Sequence, residues 1–142
     1  MRLFLDANIL FLAGYSSTSP VHDLLILAAA GDCELLSSEY AFDVARRNLR
    51  AKGPSGAIEQ FETATAMIVH VNEASGTALA QARSIGLSDD SDVPILAAAL
   101  QARAHALVTG DRRAFGAYFG KQIWRLKILR LRDALVEILG DD

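Results

Sequence analysis

Residues 1–10 read MRLFLDANIL, in which three consecutive apolar side chains, Leu3, Phe4 and Leu5, run directly into Asp6, with Asn8 close behind. A run of that apolar weight is an interior strand. An ionised carboxylate at its end is costly unless something compensates the charge. The fold therefore has to open at the end of this strand onto something that makes an aspartate useful there.

Composition narrows the field. The chain has 142 residues, 51% of them apolar and 22% charged, which predicts one compact domain spanning residues 1–142 with a sizeable core. Lys and Arg number 14 against 17 Asp and Glu, a formal charge of −3. That balance exerts no general pull on nucleic acid, so a polyanion has to be held by local basic patches or bound cations. Cys33 is the only cysteine, which excludes an internal disulfide or a cysteine-based zinc site and points to a reducing, cytoplasmic setting. Only Arg2 precedes the first apolar run, and Asp6 and Asn8 interrupt it, so a signal peptide is not expected. No uninterrupted apolar stretch of about 20 residues suggests a membrane span.

Read outward from Leu3–Leu5, the chain alternates strands with helices. Ser19-Pro20 starts a helix that ends at Gly31. Glu34-Leu35-Leu36 is a short strand, followed by a helix capped at Ser37-Ser38 that buries Ala41, Ala45 and Leu49. Lys52-Gly53-Pro54-Ser55-Gly56 is a loop. Then come a helix over Ala57–Ala66, a strand over Ile68–Val71 and a helix from a cap at Asn72 to Gly86. A helix over Asp92–Ala104 takes Pro94 in its first turn, and Ala106–Val108 is a strand. A short helix, a strand around Ile123–Leu131 and a helix near Asp133–Leu139 complete the chain. The alternation predicts an α/β fold with a mostly parallel central sheet covered by helices on both faces.

In such sheets the ligand crevice lies beyond the carboxyl ends of the strands. Asp6 follows the first strand, Asp111 follows Ala106–Val108, and Asp92 opens the helix between. Neighbouring parallel strands would bring the three carboxylates together. Converging anions repel unless protonated or bridged by a cation, and an oxygen-only set suits Mg²⁺ or Mn²⁺. Such an ion acidifies bound water and holds a phosphate, which is the equipment for cutting a phosphodiester.

Three stretches, FLDANIL (4–10), SDVPILAAAL (91–100) and LVTGDRRAFG (107–116), stand in an order and spacing that resembles the PIN-domain nucleases, and within them the VapC-type toxins. The resemblance runs over nearly the whole chain. It implies a PIN-like α/β fold and metal-dependent endoribonuclease activity. It also implies a homodimer, an RNA substrate and an antitoxin protein as partner. Asp6, Asp92 and Asp111 fall on the family's metal-binding acids, and Thr109 on the hydroxyl residue that precedes the last of them. The family places a further catalytic acid on the second helix, six residues past a capping serine. Counted from Ser37 that position is Asp43, which keeps the spacing. Glu39, one turn earlier, has the family's residue type. The two share a helix face away from Ala41, Ala45 and Leu49, so periodicity does not choose between them, and the spacing favours Asp43 as the catalytic acid that orients the water.

Around this core set, Asn8 is a supporting ligand or a loop residue, and Arg112 and Arg113 are candidate RNA contacts. Arg46, Arg47 and Arg50 form a basic stripe on the second helix. His22, His70 and His105 have no metal spacing and read as structural, and Trp124 reads as core. Two apolar helices, at 19–30 and 38–50, offer the dimer surface. Two rival readings remain. A PIN-like RNA-binding or regulatory module without cleavage rests on the shortened acid Asp43. A phosphatase or phosphoacceptor domain lacks its second aspartate, because Asn8 stands there.

Overall fold

The computed structural model describes residues 1–140. Six strands form one sheet: β1 (Arg2–Leu5), β2 (Glu34–Ser38), β3 (Val69–Val71), β4 (Ala106–Val108), β5 (Gln122–Ile123) and β6 (Leu126–Leu129). Their spatial order is β3-β2-β1-β4-β6-β5. All neighbouring pairs are parallel except β5 with β6. Successive strand side chains point to opposite faces. Leu3, Phe4 and Leu5 of β1 are nevertheless all fully buried, so helices cover both faces, as a parallel sheet requires.

Those helices are α1 (Ala7–Tyr15), α2 (Val21–Ala29), α3 (Glu39–Lys52), α4 (Ala57–Ala64), α5 (Gly76–Arg83), α6 (Val93–Gln101), α7 (Arg112–Phe115) and α8 (Leu131–Leu139). The chain runs outward from β1 through β2 to β3, then returns to place β4 on the other side of β1. The winding therefore reverses between β1 and β4, the point at which such sheets open a crevice.

Several elements differ from the sequence reading. Helix α1 was not expected. Its buried residues, Ala7, Ile9, Leu10, Ala13 and Gly14, lie in an almost wholly apolar run that shows no period. Asp6 itself starts it, accepting the Ala7 N–H as the cap. The expected cap at Asn72 gives way to Ser75, whose hydroxyl accepts the Ala78 N–H. Residues 72–74 stay outside the helix, where Gln101 bonds both the Ser75 N–H and the Glu73 carbonyl, while the Glu73 carboxylate accepts the Tyr40 N–H. The last strand is a hairpin, with Trp124 at its turn in a left-handed conformation (φ 55°). Trp124 is 52% exposed and so does not belong to the core. Among the described residues no helix is long and apolar enough to cross a membrane.

Helix α1 packs on α3 and α4 through Gly14. A Cβ there would stand 2.7 Å from Leu49 Cδ1 and 2.8 Å from both the Ala57 carbonyl oxygen and Phe61 Cβ. Alanine favours a helix over glycine by about 1 kcal/mol, but overpacking costs about 1–3 kcal/mol, and backbone cannot yield as a side chain can. Gly14→Ala is therefore expected to lower the melting temperature by about 3–8 °C. An unchanged or higher melting temperature would show that the three elements are not in this close contact.

Candidate active site

The carboxyl ends of β1 and β4 are stitched together by side chains. The Asp6 N–H donates to the Val108 carbonyl at 3.0 Å. One Asp6 carboxylate oxygen accepts the Ala7 N–H at 2.7 Å. The other accepts the Thr109 hydroxyl at 2.7 Å and the Asn8 amide at 3.3 Å. Thr109 Oγ1 accepts the Asp111 N–H in turn, and Asn8 Oδ1 accepts the Gly110 N–H, both at 3.0 Å. Asn8 and Thr109 thus hold the loop after β4 against Asp6, and through it Asp111. Asp111 caps α7 by accepting the Ala114 N–H at 3.0 Å. Asp92 ends a single 3₁₀ turn at the start of α6.

Asp6, Asp92 and Asp111 line one cleft of about 250 Å³ together with Asn8, Phe11, Val44, Asn48 and Lys52. Its electrostatics are those of crowded anions. Burial raises the Asp6 carboxyl above its ordinary value, against the lowering effect of the Thr109 and Ala7 hydrogen bonds. Partial burial, then the charges of Asp111, Asp6 and Asp89, push Asp92 up to about 7. Asp89 is occupied otherwise, accepting from both the backbone and the hydroxyl of Ser91.

Neither candidate for the helix acid lines this cleft. Asp43, Glu39 and Glu62 converge instead on Arg46, at 3.2, 3.1 and 2.8 Å. That guanidinium holds the Glu39 carboxyl below its usual range. The physical reason is helix phase. Ser38, not Ser37, caps α3 by accepting the Ala41 N–H, while the Ser37 hydroxyl is spent on the Leu5 carbonyl. One residue is about 100° of helix rotation. Six positions beyond the true cap is Val44, which does face the cleft, followed at four-residue steps by Asn48 and Lys52.

Lys52 and Phe11 are residues that the sequence reading missed. The Lys52 ammonium stands 5.4 Å from the centre of the Phe11 ring, which stacks on Tyr15. The available signal was the 44-48-52 spacing, one face of a helix. Arg112 and Arg113 are exposed on α7 beside Asp111 but do not line the cleft. Of the basic stripe, Arg46 is consumed by its three carboxylates, whereas Arg47 and Arg50 are exposed.

Among the described residues no three acidic, histidine or cysteine side chains already stand close enough to share one metal ion. The chemistry of the donors nonetheless fits a hard divalent cation. All are oxygens, two of the carboxyls are pushed toward the neutral form by burial and, after it, by neighbouring negative charge, and Asp92 makes no side-chain cap bond.

A parallel α/β sheet with carboxylates at its topological switch point narrows the class of protein considerably. The chain belongs to the PIN-domain family, whose profile matches residues 2–113. Among solved structures it is similar to VapBC2 from Rickettsia felis bound to a DNA fragment from their promoter. That match has a TM-score of 0.70 at 15% identity and covers 92% of this chain and 98% of that one. It is also similar to FitAcB from Neisseria gonorrhoeae, with TM-score 0.59, 18% identity and 92% and 98% coverage. FitAB bound to an IR36 DNA fragment gives 0.55, 16%, 91% and 94%. No curated protein matches the sequence.

Proposed function

We propose that this chain is a Mg²⁺- or Mn²⁺-dependent endoribonuclease, acting as the toxin of a toxin–antitoxin pair. The observation that carries the reading is the meeting of Asp6, Asp92 and Asp111 in one cleft at the β1/β4 switch point. Asp6, Asp92 and Asp111 would hold the cation. When bound, the cation neutralises phosphate charge and lowers the pKa of water. Asn8 and Thr109 position Asp6 by occupying one of its oxygens. Lys52, exposed at the rim, offers a fixed positive charge to the incoming phosphate. No histidine or cysteine lines the cleft, and the nucleophile in this reading is a water acidified by the cation. It adds to phosphorus, the P–O3′ bond breaks, and the strand is left with a 3′-hydroxyl and a 5′-phosphate. End-group analysis of a cleaved single-stranded RNA tests this. The expected result is 5′-phosphate ends and no cleavage in EDTA. Cleavage persisting in EDTA with 2′,3′-cyclic phosphate ends would overturn it.

The diversion of Asp43 to Arg46 favours a second reading, a PIN-like RNA-binding or regulatory module with weak cleavage. RNA retention without turnover under saturating Mn²⁺ would select it.

The two-component names of the structural neighbours, VapBC2 and FitAB, support a protein partner. A homodimer fits the exposed apolar residues, but not as composition suggested. The apolar residues of α3, Ala41, Phe42, Ala45 and Leu49, are buried within the chain. Ile26 of α2 and Val136 and Leu139 of α8 remain exposed at 65%, 60% and 66%, on two helices that touch each other. Sedimentation at micromolar concentration is expected to give a dimer, weakened by Ile26→Glu. A monomeric wild-type chain would reject it.

A further inference from the structure

A second, roomier cavity lies away from the acidic cleft, at the opposite edge of the sheet where β4 begins. It has a volume of about 720 Å³, and small-molecule sites run to roughly 300–1,000 Å³. Its lining combines an apolar floor, including Leu100 and Leu126, with the cations Arg103, Arg125 and Lys127, and contains no carboxylate. Lys127 is tied to Glu137 at 2.9 Å. Among the described residues neither Arg103 nor Arg125 makes an ion pair. On a chain of net charge −3 this concentration of positive charge is local, and two unpaired guanidinium forks suit a phosphate.

The backbone singles out the same place. Arg103 (φ 57°) and Trp124 (φ 55°) are the only non-glycine residues with positive φ among those described, and both line this cavity. Glycine or asparagine would meet the hairpin turn at lower cost. The turn instead fixes an exposed indole at the mouth of a basic cavity, which makes a stacking platform for a flat ring. Gln122, two residues before Trp124, also lines the cavity and brings an amide donor and acceptor to it.

We propose that this cavity binds a nucleotide, with its base stacked on Trp124 and its phosphate held by Arg103 and Arg125. The same chemistry is offered by a free nucleotide and by one residue of a single-stranded RNA. Trp124 is the only tryptophan, so its fluorescence reports on the site alone. The test titrates the full chain in EDTA with AMP, with adenosine, with inorganic phosphate and with an adenylate RNA hexamer lacking terminal phosphates. AMP or the hexamer is expected to quench Trp124 saturably. Phosphate should displace it without quenching, and adenosine should bind at least about tenfold more weakly. Arg103→Gln and Arg125→Gln should each weaken binding roughly tenfold, the loss of one charge-assisted hydrogen bond. Tighter binding of AMP assigns a free nucleotide; tighter, strongly salt-dependent binding of the hexamer assigns an RNA strand. No saturable quenching by either, or unchanged quenching in a folded double arginine variant, overturns the proposal. Asp6→Asn should leave the quenching intact, so this site and the cleavage site stand or fall separately.

Discussion

Asp6→Ala is expected to reduce RNA cleavage by on the order of 10³-fold or more, the scale set by losing a ligand from a metal-assisted phosphoryl site. Asp43→Ala and Glu39→Ala should each leave the rate within about threefold, because both side chains serve Arg46 on the far side of α3. Their cost should fall on stability, and modestly, since exposed ion pairs contribute about 0–1 kcal/mol each. The contrast is sharper than either number alone. If Asp43→Ala loses activity as severely as Asp6→Ala while keeping its melting temperature, α3 must rotate in the working complex. The helix phase described for the free chain would then be wrong for catalysis. Asn8→Ala and Thr109→Val should fall between, because they position Asp6 without being indispensable to its charge.

Metal and pH should act on stability in opposite senses. Burial raises Asp6, and burial with neighbouring charge brings Asp92 to about 7. A carboxyl with a raised folded-state pKa means that the native state binds more protons than the unfolded chain. Stability is then highest at low pH within the window and falls as pH rises from about 4 through about 7. The full displacement of Asp92 would correspond to about 4 kcal/mol, but the group is half-exposed, and solvent screening reduces this to about 1–2 kcal/mol. Without metal, the melting temperature should therefore drop by about 3–6 °C between pH 5 and 8. Asp92→Asn should abolish most of that slope and raise the melting temperature at pH 8. Mn²⁺ should reverse the trend, since cation binding needs the ionised carboxylates and its linkage grows as Asp92 deprotonates. A wild-type chain whose melting temperature at pH 8 is indifferent to millimolar Mn²⁺ and to Asp92→Asn would remove the shared acidic site from the account.

What the sequence determined by itself was whatever depends on local order. Apolar runs ending at Asp6 and at Thr109-Gly110-Asp111 mark strand ends, since a parallel sheet buries its strands on both faces and releases polar chemistry only beyond them. Three such marks at family spacing were enough to place three carboxylates at one sheet edge. Helix α1 escaped because a helix buried on nearly all sides has no polar face to give it a period. Trp124 escaped because an aromatic side chain carries no sign of being held outward by a turn. Only the tertiary structure decided which face of α3 meets the cleft. Ser37 and Ser38 are interchangeable as caps until the Leu5 carbonyl claims one of them. With Ser38 as the cap, and Ala41, Phe42, Ala45 and Leu49 buried on the core side, α3 turns Val44 and not Asp43 to the cleft.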